Sequence, residues 1–478
     1  MAKVVVLGGG VTGLAASHYI KTLLPSSAVA SVCLIEGSLR LGGWMQSVQH
    51  DSGVLLEAGP RTLRAAGTAG ANTLVLAHDL GLEGKIRSVS YGHPTTMNRM
   101  IKVNGALHRL PSSLSTALKK TPPFTKPLLV ALLQDLRSEK VCNCDESLYS
   151  FVNRRFGREV ATYVIDPLAR GVFAGNAREL SVKSLAKSLH AYEQRHGSVI
   201  KGACFDVFTQ RSRDSVLTHP MVKKARKEKW AVWSLQEGIE TLIKALERDV
   251  VDRGVDIRLG HPVNKLSQNG RCLKISFGSN EISADHVISC LPCSQAASVC
   301  GNLSKDLAQL LNAIPFATVA VVNLAYDRSD LVTQPAFGYL VPSCEPSKVL
   351  GVIFDTCTFP QANKTVLTVM MGGYWFNSLF GTHPSEEKLL STAIDELRST
   401  LGISDHPSAW RTQVLRACIP QYVVGHTEVV ASARRLIDQH KLPVSLAGNS
   451  YDGVGVNDAI LSAKAAVQNL ATTLGIKL

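Results

Sequence analysis

The sequence predicts a mixed fold, α/β in one part and α+β in another, and three observations predict it. An apolar strand, Val4 to Leu7, runs straight into glycines at 8, 9, 10 and 13. A second strand, glycine-rich turn and helix start lies 440 residues later, from Leu446 to Asp458. Between them, stretches such as Val319 to Tyr326 read as sheet by alternation, whereas much of 93–225 is basic and interrupted by prolines. The economical reading is one discontinuous Rossmann-like domain built from 1–92, 226–300 and 418–478. Into it are inserted a helical basic unit, 93–225, and a mixed-sheet unit, 301–417.

The first unit specifies a dinucleotide. Gly8 permits a tight turn, Gly10 lets the backbone approach a pyrophosphate, and Gly13 allows close packing of helix on strand. Gly9, Val11 and Thr12 complete the turn, and the helix that follows from Leu14 points its N-terminal amides at the phosphates. Val29 to Ile35 reads as the next strand and Glu36 closes it, 23 residues after Gly13. An acid there accepts the adenosine ribose hydroxyls and repels a 2′-phosphate. A signal-peptide reading of the same apolar run fails, because cleavage would remove the whole fingerprint.

Composition narrows the class. With 478 residues the chain can bury a full core, and outside Val4 to Ile20 no apolar run approaches the length of a transmembrane helix. Eleven scattered cysteines, an odd number, argue for reduced thiols. Cys290 and Cys293 form a C-x-x-C pair with no second pair at ligand spacing, so structural thiols are the expectation. The net charge of +13 resides in one segment: Arg99 to Trp230 holds 24 Lys and Arg against 11 Asp and Glu, and the rest of the chain has 27 of each. Within it, Pro111 to Lys140 places Leu114, Leu118, Phe124 and Leu128 to Leu133 among Lys119, Lys120, Lys126 and four prolines. That pattern suits an apolar element with cationic anchors dipping into one leaflet of an anionic membrane. No nucleic-acid motif accompanies the charge, and none is expected to bind.

Two further motifs choose the nucleotide. Arg40-Leu-Gly42-Gly43-Trp44 and Glu57-Ala58-Gly59-Pro60 resemble the R-x-G-G and E-x-G-P segments of the FAD-dependent amine oxidase superfamily. Glycines there admit close backbone approach, and an arginine neutralises phosphate charge. At the other end Gly448, Asn449, Val454, Gly455 and Val456 precede a helix whose positive end would stabilise charge on a reduced flavin. Together with Asn98-Arg99, Arg170 to Asn176 and Cys418 to Tyr422, these motifs resemble the protoporphyrinogen oxidase family of the animal mitochondrial type over essentially the whole chain.

The resemblance implies an enzyme that carries protoporphyrinogen IX through a six-electron oxidation by way of FAD, with oxygen as acceptor and hydrogen peroxide as product. It also implies attachment to the mitochondrial inner membrane from the intermembrane side, a homodimer, and ferrochelatase as a pathway partner. By the same resemblance Arg99 clamps the substrate propionates, Phe337, Leu340 and Met370 wall the macrocycle, and Val263 touches adenine. Gly171 is read as admitting the ring edge. No side-chain acid or base is identified, since the cofactor carries the chemistry. Phe337 and Leu340, three residues apart, fall on opposite faces of a regular strand, so a bulge at Gly338 or a turn is needed for both to face one ligand.

Overall fold

The computed structural model describes residues 1–142, 144–209, 215–270 and 272–478. Ala2–Leu7 is the middle strand of a five-stranded parallel sheet, with Val29–Ile35 and then Asp256–Arg258 on one side and His286–Ser289 and then Val444–Leu446 on the other. From Val4 to Leu7 the strand lacks polar residues because both of its faces are covered. Val4 and Val6 join Leu14, Ile20, Leu242 and Val467, from helices Val11–Leu23, Glu240–Asp252 and Val456–Thr473. Val5 and Leu7 turn the other way, toward Leu266, Phe277, Leu307 and Val430. The sheet thus draws its strands from three distant stretches of the chain.

A second, seven-stranded sheet is ordered Ala409–Pro420, Phe316–Tyr326, Thr365–Gly373, Val349–Phe354, Gly338–Leu340, Met100–Val103, Ala106–Arg109. Neighbours are antiparallel except where Gly338–Leu340 runs parallel to Met100–Val103. One face, with Met100, Tyr339, Val352, Val369 and Val322, packs on Leu389, Ala393 and Leu397 of helix Glu386–Leu401. The opposite face carries the residues of interest below.

The segment expected to open the helical unit therefore begins as sheet. Asn104-Gly105, both with positive φ, turns Met100–Val103 back into Ala106–Arg109, and an Asn-Gly pair between two such runs is itself a hairpin signal. At its other end, helix Pro220–Lys227 buries Met221, Val222 and Ala225 in the core of the parallel-sheet domain. The helices between have their own core around Phe151, Val152, Leu180 and Val182. Among the described residues no helix is long and apolar enough to cross a membrane.

Candidate functional site

The N-terminal glycines divide their work. Gly8, at φ +96°, donates its N–H to Ile35 O at 2.8 Å and makes the turn. A Cβ on Gly13 would lie 1.8 Å from Gly8 O, so only glycine lets the helix sit on the strand, whereas a Cβ on Gly10 would meet nothing within 4 Å. Helix Val11–Leu23 starts at Gly10 with no side-chain cap and no acid in its first turn. Its first amides are free to bind an anion. Val11 is half-buried and Thr12 buried at this corner. Glu36 Oε2 accepts from Gly9 N–H at 2.6 Å and Oε1 from Ser38 N–H at 2.8 Å, which fixes the carboxylate at the strand end. His261 N–H donates to Glu36 O at 2.9 Å, and the strand starting at Val263 follows directly.

The second glycine motif is laid against the first. Gly42 N–H donates to Gly9 O at 2.8 Å, Gly42 bridges to Gly10, and a Cβ on Gly43 would reach Gly10 Cα at 3.4 Å. Arg40 is fastened to its own loop through Leu41 O at 2.9 Å and through Gly43 O, with Glu240 at 3.9 Å. Trp44 is exposed, and a Cβ on Gly59 would lie 2.1 Å from Trp44 O, so this loop and the E-x-G-P segment interlock. Ala58 N–H donates to Gln46 O at 2.9 Å beside half-buried Pro60.

Glu57 is a positioning group. Its carboxylate accepts from Ser47 Oγ at 2.7 Å and Ile239 N–H at 2.9 Å, and burial pushes its pKa up to about 7. Its carbonyl accepts from Asn323 Nδ2 at 3.1 Å, and Asn323 also donates to Thr368 Oγ1 at 2.7 Å. Thr368 donates to Asp355 at 2.7 Å, and Asp355 pairs with buried Arg61 at 2.8 Å. This polar chain joins the second sheet to the nucleotide domain. Asn323 was legible as a lone amide in an apolar strand, since such a group must find partners. Glu57, Arg61 and Asp355 also line a cavity of about 290 Å³ with Phe337 and Ile353.

The C-terminal loop is held by a residue given no role in the sequence reading. Tyr422 is buried; its hydroxyl donates to Asn449 O at 2.5 Å and accepts from Gly453 N–H at 2.9 Å. Its ring stacks on His426 at 3.7 Å. Gly448 N–H donates to Ser462 Oγ at 3.0 Å. Past half-buried Val454, helix Val456–Thr473 starts at Gly455 with no side-chain cap. Tyr422→Phe takes the hydroxyl partner from the half-buried Gly453 amide and Asn449 carbonyl on the loop that leads into this helix. We expect flavin affinity to fall by about 1–3 kcal/mol, read by titrating the apoprotein with FAD; unchanged affinity would remove Tyr422 from this role.

On the second sheet, register sets Leu340, Gly351, Met370 and Val321 side by side, so their side chains share the face opposite the helix-packed one. Leu340 also pairs with Ile101, two residues beyond Arg99. Arg99 is exposed, and among the described residues its guanidinium makes no hydrogen bond or ion pair. Gly338, at φ +146° with a Cβ position 2.0 Å from Val352 O, breaks the alternation. Phe337 thereby lines the cavity together with Ile353, the cross-strand partner of Gly338, on the Leu340 side of the sheet. A Cβ on Gly171 would strike Leu340 Cδ2 at 2.2 Å, so the glycine lets helix Asp166–Phe173 sit directly against Leu340. Arg170 is buried, donates to Val341 O and Pro342 O at 3.0 and 2.8 Å, and lies over Trp375, which is a structural tie.

The geometry fits a flavin dinucleotide: two uncapped helix ends, an open face at Gly10, and an acid fixed at the second strand end. Protoporphyrinogen oxidases from Macaca fascicularis and Homo sapiens are each 42% identical to this chain, covering 98% of it and 98% of their own length. A crystal structure of a protein from Exiguobacterium sp. 255-15 shares the fold, with TM-score 0.80, 24% identity and 99% of both chains covered. The family model for flavin containing amine oxidoreductase matches residues 11–471. A match of that extent takes in all the motifs beyond the first turn, so the chain belongs to the flavin containing amine oxidoreductase family and is an oxidoreductase that works through FAD.

Proposed function

We propose that the chain oxidises protoporphyrinogen IX to protoporphyrin IX with oxygen as acceptor and hydrogen peroxide as product, in haem biosynthesis. The observation that carries this reading is 42% identity to protoporphyrinogen oxidases over 98% of the chain. The sheet face supports it: Leu340, Met370 and Phe337 offer an apolar wall for a macrocycle, and Arg99 an unpaired planar fork for a propionate. Bound FAD supplies the hydride acceptor. The protein's part is to hold the ring flat against that wall, exclude water and anchor the carboxylates.

Arg99→Ala is expected to raise KM for protoporphyrinogen by about 10–100-fold, the worth of a charge-assisted hydrogen-bonded pair, with kcat little changed. Porphyrin fluorescence reads both, with coproporphyrinogen as the competing substrate. Faster turnover of coproporphyrinogen would replace the substrate, and an unchanged KM would end the clamp assignment.

The reading extends to the mitochondrial inner membrane, approached from the intermembrane side, to a homodimer, and to ferrochelatase as a pathway partner. Helix Leu128–Arg137 supports membrane docking: Leu129, Val130, Leu133 and Leu136 are 41–46% exposed, and Lys119, Lys120 and Lys126 are exposed nearby. Ten residues are too few to span a bilayer, so the element would lie within one leaflet. Sedimentation with anionic vesicles checks the docking, and analytical ultracentrifugation the dimer.

A further inference from the structure

We propose that His78, Asp79 and His219 form a site for a divalent transition-metal ion of the zinc and nickel class, on the surface of the nucleotide domain. One ligand atom from each lies within 4.8 Å of the others, and this is the one such His, Cys, Asp or Glu group among the described residues. A tetrahedral ion with bonds near 2 Å needs its ligands roughly 3–4 Å apart, so small side-chain rotations close the site. Two imidazoles and one carboxylate select a borderline-soft ion over magnesium or calcium.

The ring nitrogens are already sorted. His219 stands at the start of helix Pro220–Lys227, and its Nδ1 accepts from Met221 N–H at 3.2 Å, which leaves Nε2 for an ion. His78 Nδ1 lies 3.4 Å from Glu83, the arrangement in which a carboxylate orients a ligating histidine through its other nitrogen. The two rings are 4.9 Å apart at 72°.

The platform beneath is fixed. His78 and Asp79 end helix Gly67–Asp79, and its Leu74 and Ala77 share a buried core with Met221, Val222 and Ala225 below His219. The opposing charge is Lys224, which is engaged by Glu83 at 3.1 Å. An ion would link the last turn of one helix to the first of another, far apart in sequence. None of these residues belongs to the cofactor or substrate sites.

The test is calorimetric titration of the untagged, flavin-loaded protein with zinc chloride and with nickel chloride, alongside His78→Ala and His219→Ala. We expect one ion bound per chain, about tenfold or more weaker in each variant, and a zinc-dependent rise in Tm that both variants lose. Oxidase turnover in the variants stays at the parent level and shows that they are folded. Absence of binding by the parent protein, or equal binding by the parent and both variants, would overturn the site.

Discussion

Gly13→Ala is expected to yield a protein that retains no flavin and unfolds at a markedly lower temperature. Alanine within a helix would normally gain about 1 kcal/mol over glycine. Here its methyl would sit 1.8 Å from Gly8 O and 3.4 Å from Val6 Cγ1. The first obstacle is backbone, so no side-chain rotation relieves it, and helix Val11–Leu23 must lift from its strand. The Gly8 turn would be disturbed, and Leu14 and Ile20 would leave the core they share with Val4 and Val6. Losses above about 4 kcal/mol arise from such overpacking and outweigh the helix gain.

The informative partner is Gly10→Ala. Gly10 has φ −69° and ψ −179°, which alanine adopts freely, and its Cβ would touch no protein atom within 4 Å. The apoprotein should keep its stability to within about 1 kcal/mol, while the methyl occupies the open side where a pyrophosphate approaches, so FAD affinity falls at least about tenfold. Thermal unfolding of the apoproteins and FAD titration separate the two glycines, one needed by the fold and the other by the ligand. Normal flavin content in Gly13→Ala, or normal FAD affinity in Gly10→Ala, would break the division.

That division was legible because it is local: strand, turn and helix follow one another within a few residues, and glycine's missing Cβ is a property of the sequence. Glu36 was legible for the same reason, as the residue closing the next strand. The hairpin Met100–Arg109 was also written locally, in Asn104-Gly105, but the charge of the surrounding segment drew it into the helical unit. The contact between Gly171 and Leu340 was not legible, because the two lie 169 positions apart. Tyr422 and Asn323 share that difficulty. Each was visible as an aromatic or an amide that burial would oblige to find partners, but the partners, Asn449, Gly453, Glu57 and Thr368, are fixed only when separate strands and loops come together.

Arg155→Leu is expected to destabilise the helical unit by about 3–5 kcal/mol, the cost of stripping the partner from a buried charge. Arg155, Asp135 and Glu193 are all buried; the guanidinium lies 3.0 Å from Asp135 and 3.2 Å from Glu193, and donates to Gly197 O at 2.6 Å. The two acids would not suffer equally. Glu193 keeps Arg154 at 2.9 Å, whereas Asp135 keeps only the neutral donors Ser198 Oγ at 2.6 Å and Ile200 N–H at 3.0 Å. The loss therefore falls on Asp135, which is the one buried residue of helix Leu128–Arg137. Leu129, Leu133 and Leu136 are exposed and Leu128 and Leu132 only half-buried, so the ion pair on the inner side of the helix decides whether it stays docked. Limited proteolysis should cut 128–140 first in Arg155→Leu, vesicle binding should weaken, and adding Asp135→Asn should recover part of the stability because the stranded charge is gone. Resistance to proteolysis equal to that of the parent protein would mean that the flanking turns, and not the ion pair, hold the helix in place.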